Sequence, residues 1–579
     1  MNSVDWSKII EFITYDPSRP LLFNSARFFL LFLIAYGIFL LLRKRIFART
    51  LYLFLFSIYF YYLSSGVYFW LLLVSTLINF GIGHALHRET SDGSRKLLIT
   101  LSVIYNLGVL AYFKYTNFFI GTVNELGGTT WSFRHIFLPV GISFYTFQVM
   151  SYTIDVYRRK IPSLSEGVAG FGEWCRALID FGFFVSFFPQ LVAGPIVRAA
   201  EFIPQLRQPL QLNRDQMGQA FLLIIGGLFK KAVISDYISV NFVDRVFDNP
   251  GLYSGLENLL AAYGYAVQIY CDFSGYSDMA IGLALLMGFR LPENFRTPYQ
   301  SATIQDFWRR WHISLSSWLR DYLYISLGGN RKGKVLTYVN LMITMLLGGL
   351  WHGASWVFVI WGGLHGLALA VDRLFSETRQ WLSKPVVRIG GIWLLILLII
   401  QAVLFWRLNS GQIDPFLYEQ MSRANGTLGL IWLIAMVLAV GGDWLLGKII
   451  SAKAGAKWSK FFSVLMVFHF VSLCWVFFRS GAAANTFSPT EITYAMLGQI
   501  GSSFSLELAR EIITGYSGVM LLIGLGFFLH FLPRSVDLMA EKLFLRLPAV
   551  GQAFILFLVI WIVIQTASAD VVPFIYFQF

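Results

Sequence analysis

Long apolar runs separated by short polar loops dominate the chain from near residue 24 to near residue 567. A membrane-spanning helix needs about 20 mostly apolar residues. The predicted segments lie near 24–43, 49–64, 67–85, 97–114, 136–156, 175–193, 217–235, 256–271, 276–290, 335–350, 354–371, 389–406, 427–446, 460–478, 515–532 and 551–567. Several are short, so some are expected to be re-entrant or broken helices. The pattern predicts an all-α polytopic membrane protein.

The composition supports this prediction. The chain has 579 residues, of which 56% are hydrophobic and 13% charged, and its mean hydropathy is +0.63. An ordinary soluble protein carries about 25% charged residues, so that class is excluded. Since the sequence shows neither an internal repeat nor a long linker, we expect an N-terminal interfacial segment, 1–23, followed by a single multi-pass membrane domain, 24–579.

The distribution of basic residues predicts an orientation. The net charge is +13, but Lys and Arg are dispersed among short loops, which favours anionic lipid over nucleic acid as their partner. The first apolar segment lacks a small-residue cleavage site, so we expect it to be retained. The basic cluster 43–45 follows it, which places that cluster in the cytoplasm and the N-terminus outside. Counted from an external N-terminus, five predicted spans bring the cluster 158–160 to the same side.

The three cysteines predict neither a disulfide framework nor a metal site. Cys175, Cys271 and Cys474 are far apart and form no CxxC pair. We expect them to be structural thiols.

Two blocks containing histidine stand out against the apolar background: FWRRWH at 307–312 and WHGASW at 351–356. The surrounding stretch 306–321 holds five charged residues, which would oppose a lipid-facing span by more than about 10 kcal/mol. It also holds many aromatic and aliphatic residues. We therefore expect an amphipathic helix at the interface or inside the protein, with Trp308, Trp311 and His312 on one face.

His352 interrupts two apolar runs and is surrounded by glycines, at 348, 349 and 353, that permit a kink. It is predicted either to line a cavity or to bond to a carbonyl at a helix end. A neutral imidazole, with an ordinary pKa near 6.5, takes a proton from a hydroxyl and returns it to a leaving group, as acyl transfer requires. His365 lies about 220° further around a continuous helix and would face elsewhere.

The other histidines are expected to have ordinary structural roles, satisfied by single hydrogen bonds or by solvent. They are His84, His87, His135, His469 and His530.

Seven passages carry a family resemblance. They are LPVGISFYTFQVMSYTIDVYR from 138, FFPQLVAGPIVR from 187, GLFKKAVISD from 227, YCDFSGYSDMAIGLALLMGF from 270, LPENFRTPYQSATIQDFWRRWHISLSSWLRDYLYISLGGNRKG from 291, LLGGLWHGASWVFVIWGGLHG from 346 and PFIYFQF from 573. In this order they resemble the membrane-bound O-acyltransferase (MBOAT) family, and within it the bacterial inner-membrane subunits that O-acetylate alginate. The best-matching core is about 136–372.

The resemblance implies a helical bundle with a central tunnel in the bacterial inner membrane. It matches His352 to the essential histidine of the family and His312 to a second polar position near the catalytic centre. It further implies an acetyl-CoA or other acyl thioester donor, no bound cofactor, and acetyl transfer across the membrane. The acetyl group would reach an exported polysaccharide through a periplasmic SGNH-hydrolase-like partner and the polysaccharide export machinery.

Several other side chains are candidate substrate contacts, each with a structural alternative. The indoles either shape an apolar tunnel or belong to an interfacial belt. The arginines bind CoA phosphates or pair with Asp306. The aspartates and the serine line the cavity, or they cap helices and form hydrogen bonds between helices. The lysines bind a substrate phosphate or a lipid phosphate. The candidates are Trp308, Trp311, Arg309, Arg310, Asp272 and Ser274, with Asp278, Lys230 and Lys231 as weaker ones.

Three alternatives remain open at this point. D-alanyl transfer to teichoic acid would use the same fold. A transporter or export channel would use buried His and Arg for proton coupling. A scaffold of an export complex would not depend on His352 at all.

Overall fold

The computed structural model describes residues 6–17, 19–23, 25–210, 213–377, 384–482 and 488–566. Throughout these ranges the regular secondary structure is helical, which confirms the predicted all-α class. The terminal passage 573–579 lies outside the described residues.

Within the described ranges, eight helical runs are long and apolar enough to cross a membrane. They are Ile46–Arg88, Asp92–Gly127, Arg214–Asp248, Lys334–His352, Trp356–Ser376, Pro385–Asn409, Pro415–Ile449 and Ala452–Gly481. A ninth candidate is the pair Ala509–Gly515 and Ser517–Phe531, which is bent by 93° and has the form of a broken or re-entrant span. The chain is therefore a multi-pass membrane protein.

Some of the predicted segments merge. The predicted pair near 256–271 and 276–290 is one helix of 32 residues, Gly255–Leu286. The polar residues between the two predicted segments do not break this helix, because they are buried within protein, as Asp272 and Ser274 are at 2% exposure each. Gly275 allows close approach of another helix, since a Cβ there would lie 2.7 Å from the carbonyl oxygen of Gly227.

The chain divides into two compact units, each described here by itself. The first comprises the described residues of 6–232, 273–293 and 538–566. Its helices include Trp6–Ile13, Ala26–Leu42, Ile46–Ser65, Phe69–Arg88, Asp92–Gly127, Ile142–Tyr157, Phe171–Ser186, Phe188–Ala193, Ala199–Leu206, Arg214–Leu228 and Ala549–Thr566. Its core includes packed phenylalanines such as Phe23 and Phe60, whose ring centroids are 5.5 Å apart.

Among the described residues, the second unit comprises Val233–Asp272 and Asn294–Asp537. Its helices include Asp244–Asp248, Ile304–Arg310, Ile313–Trp318, Lys334–His352, Trp356–Ser376, Pro385–Asn409, Pro415–Ile449, Ala452–Gly481, Pro489–Ser502, Ala509–Gly515 and Ser517–Phe531. Pro415–Ile449 exposes large apolar side chains, among them Leu433 and Val437, as a lipid-facing helix does.

Two helices of the second unit, Lys334–His352 and Trp356–Ser376, approach each other at backbone distance. A Cβ on Gly349 would collide with the carbonyl oxygen of Phe358, and a Cβ on Gly362 with that of Met345. Glycine is required at this crossing because the two backbones touch. The crossing fixes the position of the helix end that carries His352.

Candidate functional site

His352 lies at a break between two helices. Lys334–His352 ends at this residue, Gly353 is extended with φ −160°, and the next helix begins at Trp356. The imidazole is 3% exposed. Its ring centroid lies 5.0 Å from that of Trp351, 5.1 Å from Trp361 and 5.2 Å from Phe478. The glycines around His352 therefore accompany a real interruption of the helix.

His312 also interrupts a helix, and here the prediction of one amphipathic helix over 306–321 is wrong. The structure has two short helices, Ile304–Arg310 and Ile313–Trp318, and between them His312 adopts a left-handed conformation with φ 42° and ψ 57°. This conformation costs an L-residue roughly 1–2 kcal/mol. Because of the interruption, His312 and the two tryptophans before it do not share one continuous helical face.

A neighbouring segment holds the backbone of His312 in this conformation. The N–H of Ile313 donates to the carbonyl oxygen of Asn294 at 2.9 Å, and the N–H of Arg296 donates to that of Arg310 at 3.0 Å. These two backbone hydrogen bonds, one before His312 and one after it, hold the strained residue in this conformation. Such strain persists only where the surroundings enforce it, and it is most common at functional sites.

The His312 side chain is buried, with 1% exposure, and hydrogen-bonded through Nδ1, which lies 3.1 Å from Oδ1 of Asn294. Ser314 donates to the same oxygen from its N–H at 3.2 Å and from Oγ at 2.9 Å. Burial lowers the pKa of the His312 imidazole from 6.5 to about 3. The ring is therefore neutral at physiological pH.

An aromatic cluster connects three histidines of the second unit. We define it as Trp308, Trp311, Trp351, Trp361, Trp475 and Phe478. His312 and His352 both contact Trp351, at centroid distances of 6.3 Å and 5.0 Å. The two predicted catalytic histidines therefore contact the same indole ring, that of Trp351.

The two predicted indoles contact the same cluster. Trp308 lies 5.7 Å from Trp361, and Trp311 lies 4.9 Å from Trp475. Trp361 and Trp475 are in turn stacked at 5.9 Å, with an angle of 22° between their planes. Both predicted tryptophans therefore line an aromatic interior shared with the histidines.

His365 contacts the aromatic cluster, a placement that the sequence analysis did not predict. The expectation that it faces elsewhere assumed a continuous helix, whereas the break after His352 changes the phase of the following helix. His365 is fully buried and lies 4.9 Å from Trp361 and 5.1 Å from Trp308. The glycine and serine residues of the WHGASW block were the available signal for this change of phase.

The charged and polar candidate residues differ in their exposure and in the unit to which they belong. Arg310 pairs with Asp306 at 3.0 Å, and Arg309 is exposed. Asp272 is buried in the second unit, whereas Ser274 belongs to the first. For Arg310 the structure thus has the pairing with Asp306, one of the two predicted alternatives.

The weaker candidates have local partners. Lys230 forms an ion pair with Asp278 at 2.7 Å, and the Lys231 ammonium lies 5.5 Å from the centre of the Tyr276 ring. In the described part of the chain the three cysteines form no disulfide, and Cys271 and Cys474 are buried. Across the described part of the chain, no group of His, Cys, Asp and Glu side chains is arranged to hold a metal ion.

Three of the remaining histidines have a structural hydrogen bond. Nδ1 of His84 lies 2.7 Å from Oγ of Ser165, and Nδ1 of His469 lies 2.7 Å from the carbonyl oxygen of Leu465. Nε2 of His530 accepts a bond from the N–H of Tyr299 at 3.0 Å.

Comparison with known proteins gives consistent matches. The profile described as "MBOAT, membrane-bound O-acyltransferase family" matches residues 177–406. The "Probable alginate O-acetylase AlgI" of Pseudomonas aeruginosa is 40% identical over 446 residues, covering 73% of this chain and 81% of that protein. The "Peptidoglycan O-acetyltransferase" of Helicobacter pylori is 39% identical over 380 residues, covering 62% and 72%. The "Teichoic acid D-alanyltransferase" of Bacillus subtilis is 29% identical over 216 residues, covering 35% and 54%.

Proposed function

Because the chain belongs to the membrane-bound O-acyltransferase family and is an acyltransferase, we propose that it transfers acetyl groups from a cytoplasmic thioester toward hydroxyls of an exported polysaccharide. Two of the relatives above are named as O-acetylating enzymes, which supports acetyl as the transferred group. The donor in this proposal is acetyl-CoA or another acetyl thioester.

The observation that carries the proposal is the joint placement of His352 and His312. Both imidazoles are buried, both contact Trp351, and each lies where a helix is interrupted. Ionisable groups buried in a membrane protein are costly and usually functional. Two buried imidazoles in contact with one indole ring fit a site that transfers protons during a reaction.

The chemistry proposed at His352 is one acyl transfer, the first of the two steps by which the acetyl group reaches the polysaccharide. His352 accepts the proton of the attacking hydroxyl, whose oxygen forms a bond to the thioester carbonyl carbon. The carbon–sulfur bond then breaks, and the imidazolium returns the proton to the thiolate. The products are an ester and a free thiol, so no oxidant or further reactant is needed. His312, neutral and fixed, is the orienting residue or a second base.

The aromatic cluster has a separate role in this proposal. Trp308 and Trp311 form part of the wall of a tunnel that admits the thioester and keeps water away from it. Arg309, Arg310, Asp272 and Ser274 remain candidate contacts to the more polar parts of the donor or the acceptor. We propose one catalytic membrane domain over 24–579, preceded by an interfacial segment over 1–23.

The proposal also specifies the orientation of the chain in the membrane and a partner protein. The chain lies in the bacterial inner membrane with its N-terminus outside, and a periplasmic SGNH-hydrolase-like protein associated with the export machinery passes the acetyl group to the polysaccharide. The basic clusters 43–45 and 158–160 support this orientation. Single cysteines at Lys44 and Lys160, in a chain lacking the native cysteines, should both be shielded from an impermeant thiol reagent in intact cells. Labelling of either one would overturn the orientation.

The function is tested by measuring polysaccharide O-acetyl content in cells that lack the gene and are complemented with the native chain, His352→Ala or His469→Gln. His469 is the matched control, since it lies on a neighbouring membrane helix and bonds only locally to Leu465. We expect acetylation to be lost with His352→Ala and kept with His469→Gln at equal membrane levels. Full acetylation by His352→Ala would instead support a scaffold or transporter. D-alanyl esters in place of acetyl esters would assign the other transfer reaction.

A further inference from the structure

We propose that Asn294 is a positioning residue that fixes His312 in the tautomer with hydrogen on Nδ1, leaving Nε2 as the nitrogen that accepts a proton or hydrogen bond. The inference rests on the proposed function, because it assigns a role to a neighbour of His312. Asn294 lies eighteen residues before His312 and is 1% exposed.

The hydrogen-bond pattern around Asn294 identifies the donor and the acceptor. The backbone N–H of Ser314 is only a donor, and it lies 3.2 Å from the side-chain atom assigned as Oδ1 of Asn294. This contact requires that atom to be the amide oxygen. The oxygen has no hydrogen, so Nδ1 of His312, 3.1 Å away, must donate to it. A neutral imidazole carries one hydrogen, and Nε2 therefore keeps its lone pair.

Burial makes this choice of tautomer persistent. At 1% exposure, water does not compete for Nδ1 of His312, and the opposite tautomer would place two lone pairs, on Nδ1 and Oδ1, against each other. An unpaired buried acceptor costs roughly 1–3 kcal/mol, equivalent to a population ratio of at least about 5. Low exposure also keeps the ring neutral, so Nε2 remains an acceptor across the physiological pH range.

The backbone of Asn294 orients the ring as well. Its carbonyl oxygen accepts from the N–H of Ile313 at 2.9 Å, while its side chain holds Nδ1 of His312. One residue thus holds both the left-handed backbone that projects the imidazole and the tautomer of that imidazole. His312, fixed in this way, presents Nε2 as an acceptor at one defined position, which is what a second base requires.

The proposal is tested with full-length protein labelled with ¹⁵N-histidine in liposomes. The chain has eight histidines, and the His312 signal is assigned by its loss in His312→Gln. We expect the native signal to show a protonated Nδ1 and an unprotonated Nε2. Asn294→Leu should populate the opposite tautomer and slow acetyl transfer from radiolabelled acetyl-CoA in membrane vesicles roughly 100-fold. A native His312 protonated on Nε2 would overturn the proposal.

Two further variants separate positioning from folding. Asn294→Asp keeps an acceptor opposite Nδ1 and adds a negative charge, so the Nδ1–H tautomer should persist and the acid limb of the rate profile should move up by about 1 pH unit or more. Asn340→Leu removes another buried asparagine of the same unit, bonded to Gly329, and should lower thermal stability while keeping the rate within a few fold. Equal rate losses for Asn340→Leu and Asn294→Leu would refute positioning.

The tautomer measurement also separates this proposal from the proposed function. If His352→Ala and His312→Ala both transferred acetyl normally, the catalytic assignment would fail. The NMR signal would still report whether Asn294 selects the tautomer. A chain with normal histidine dependence but an unchanged tautomer in Asn294→Leu would refute only the role of Asn294.

Discussion

His352 and His365 lie on two successive helices and contact the same indole ring, that of Trp361, at centroid distances of 5.1 Å and 4.9 Å. A continuous helix would have directed them to different sides. The break after His352 therefore places a third imidazole in the aromatic interior. Trp361 is 1% exposed, and its contacts to both histidines make it the central wall of the candidate site.

Replacing Trp361 should damage activity beyond its effect on stability. Trp361→Leu leaves a cavity and should destabilise the fold by about 3 kcal/mol. The imidazole of His352 then loses one of its aromatic walls, and transfer should fall at least about tenfold. The matched control is Trp393→Leu, at a buried indole that stacks on Trp432 and donates from Nε1 to the carbonyl oxygen of Met466. Similar melting temperatures with equal activity in both variants would contradict a specific role for Trp361.

The glycine crossing next to His352 should not tolerate a methyl group. Gly349→Ala would place Cβ against the carbonyl oxygen of Phe358, which is backbone and cannot rotate away, so we expect a loss of about 2 kcal/mol or more. Gly363→Ala is the control, because its Cβ would meet only a leucine side-chain carbon at 3.5 Å. In that helix interior alanine should be neutral or stabilising by up to about 1 kcal/mol. Thermal unfolding in detergent measures both, and equal effects would contradict the predicted close crossing.

Asp372, near the C-terminal end of the helix Trp356–Ser376, should be required for stability. It forms a largely buried ion pair with Arg388 at 2.6 Å and also accepts the N–H of Gln305 at 3.1 Å. Asp372→Asn would leave a buried guanidinium without its counter-charge, and we expect a loss of about 3 kcal/mol. Glu377→Gln removes a partly exposed partner of Arg373 and should cost less than about 1 kcal/mol. A small effect of Asp372→Asn on the melting temperature would refute the prediction.

The low pKa of His312 has a consequence for stability in acid. The pKa of the folded protein, about 3, is below the ordinary value of 6.5, so the unfolded chain binds a proton that the folded chain refuses. Stability should therefore be fully present above about pH 6.5 and fall as the pH decreases below it. His312→Gln removes this dependence, and its melting temperature should drop less than the native one between about pH 7 and about pH 5. The exposed His135, changed to Gln, provides the control.

Apolar periodicity was enough to predict the helical class and most of the long spans, because lipid-facing and core-facing helices are both rich in apolar residues. It did not locate the interruptions. At 306–321 the helical pattern of aromatics continues through His312, yet backbone bonds from Asn294 and Arg296 break the helix there. Those partners lie outside the pattern, so no local rule could have indicated them. The position of His365 was missed because its helical phase was counted through the break after His352, which the glycine and serine residues of the WHGASW block could have signalled.

The two histidine blocks themselves were recognisable from the sequence. Imidazoles and arginines in an apolar chain are expensive, and glycines beside His352 marked a helix end. Asn294 left no such signal, because a polar residue in a polar loop is ordinary. Its significance arises from a tertiary contact with His312 at 3.1 Å.

The end of the helix Lys334–His352 has an electrostatic meaning in addition to its effect on shape. The peptide dipoles of a helix sum to about half a negative charge at its C-terminus, and His352 is the last residue of that helix. A positive imidazolium at this position is stabilised by roughly 0.3–2 kcal/mol. In the proposed transfer, in which His352 takes the proton of a hydroxyl, the charge therefore forms at the one end of a 19-residue dipole that favours it. A helix that continued through Gly353 would have moved that negative end away from the reacting nitrogen.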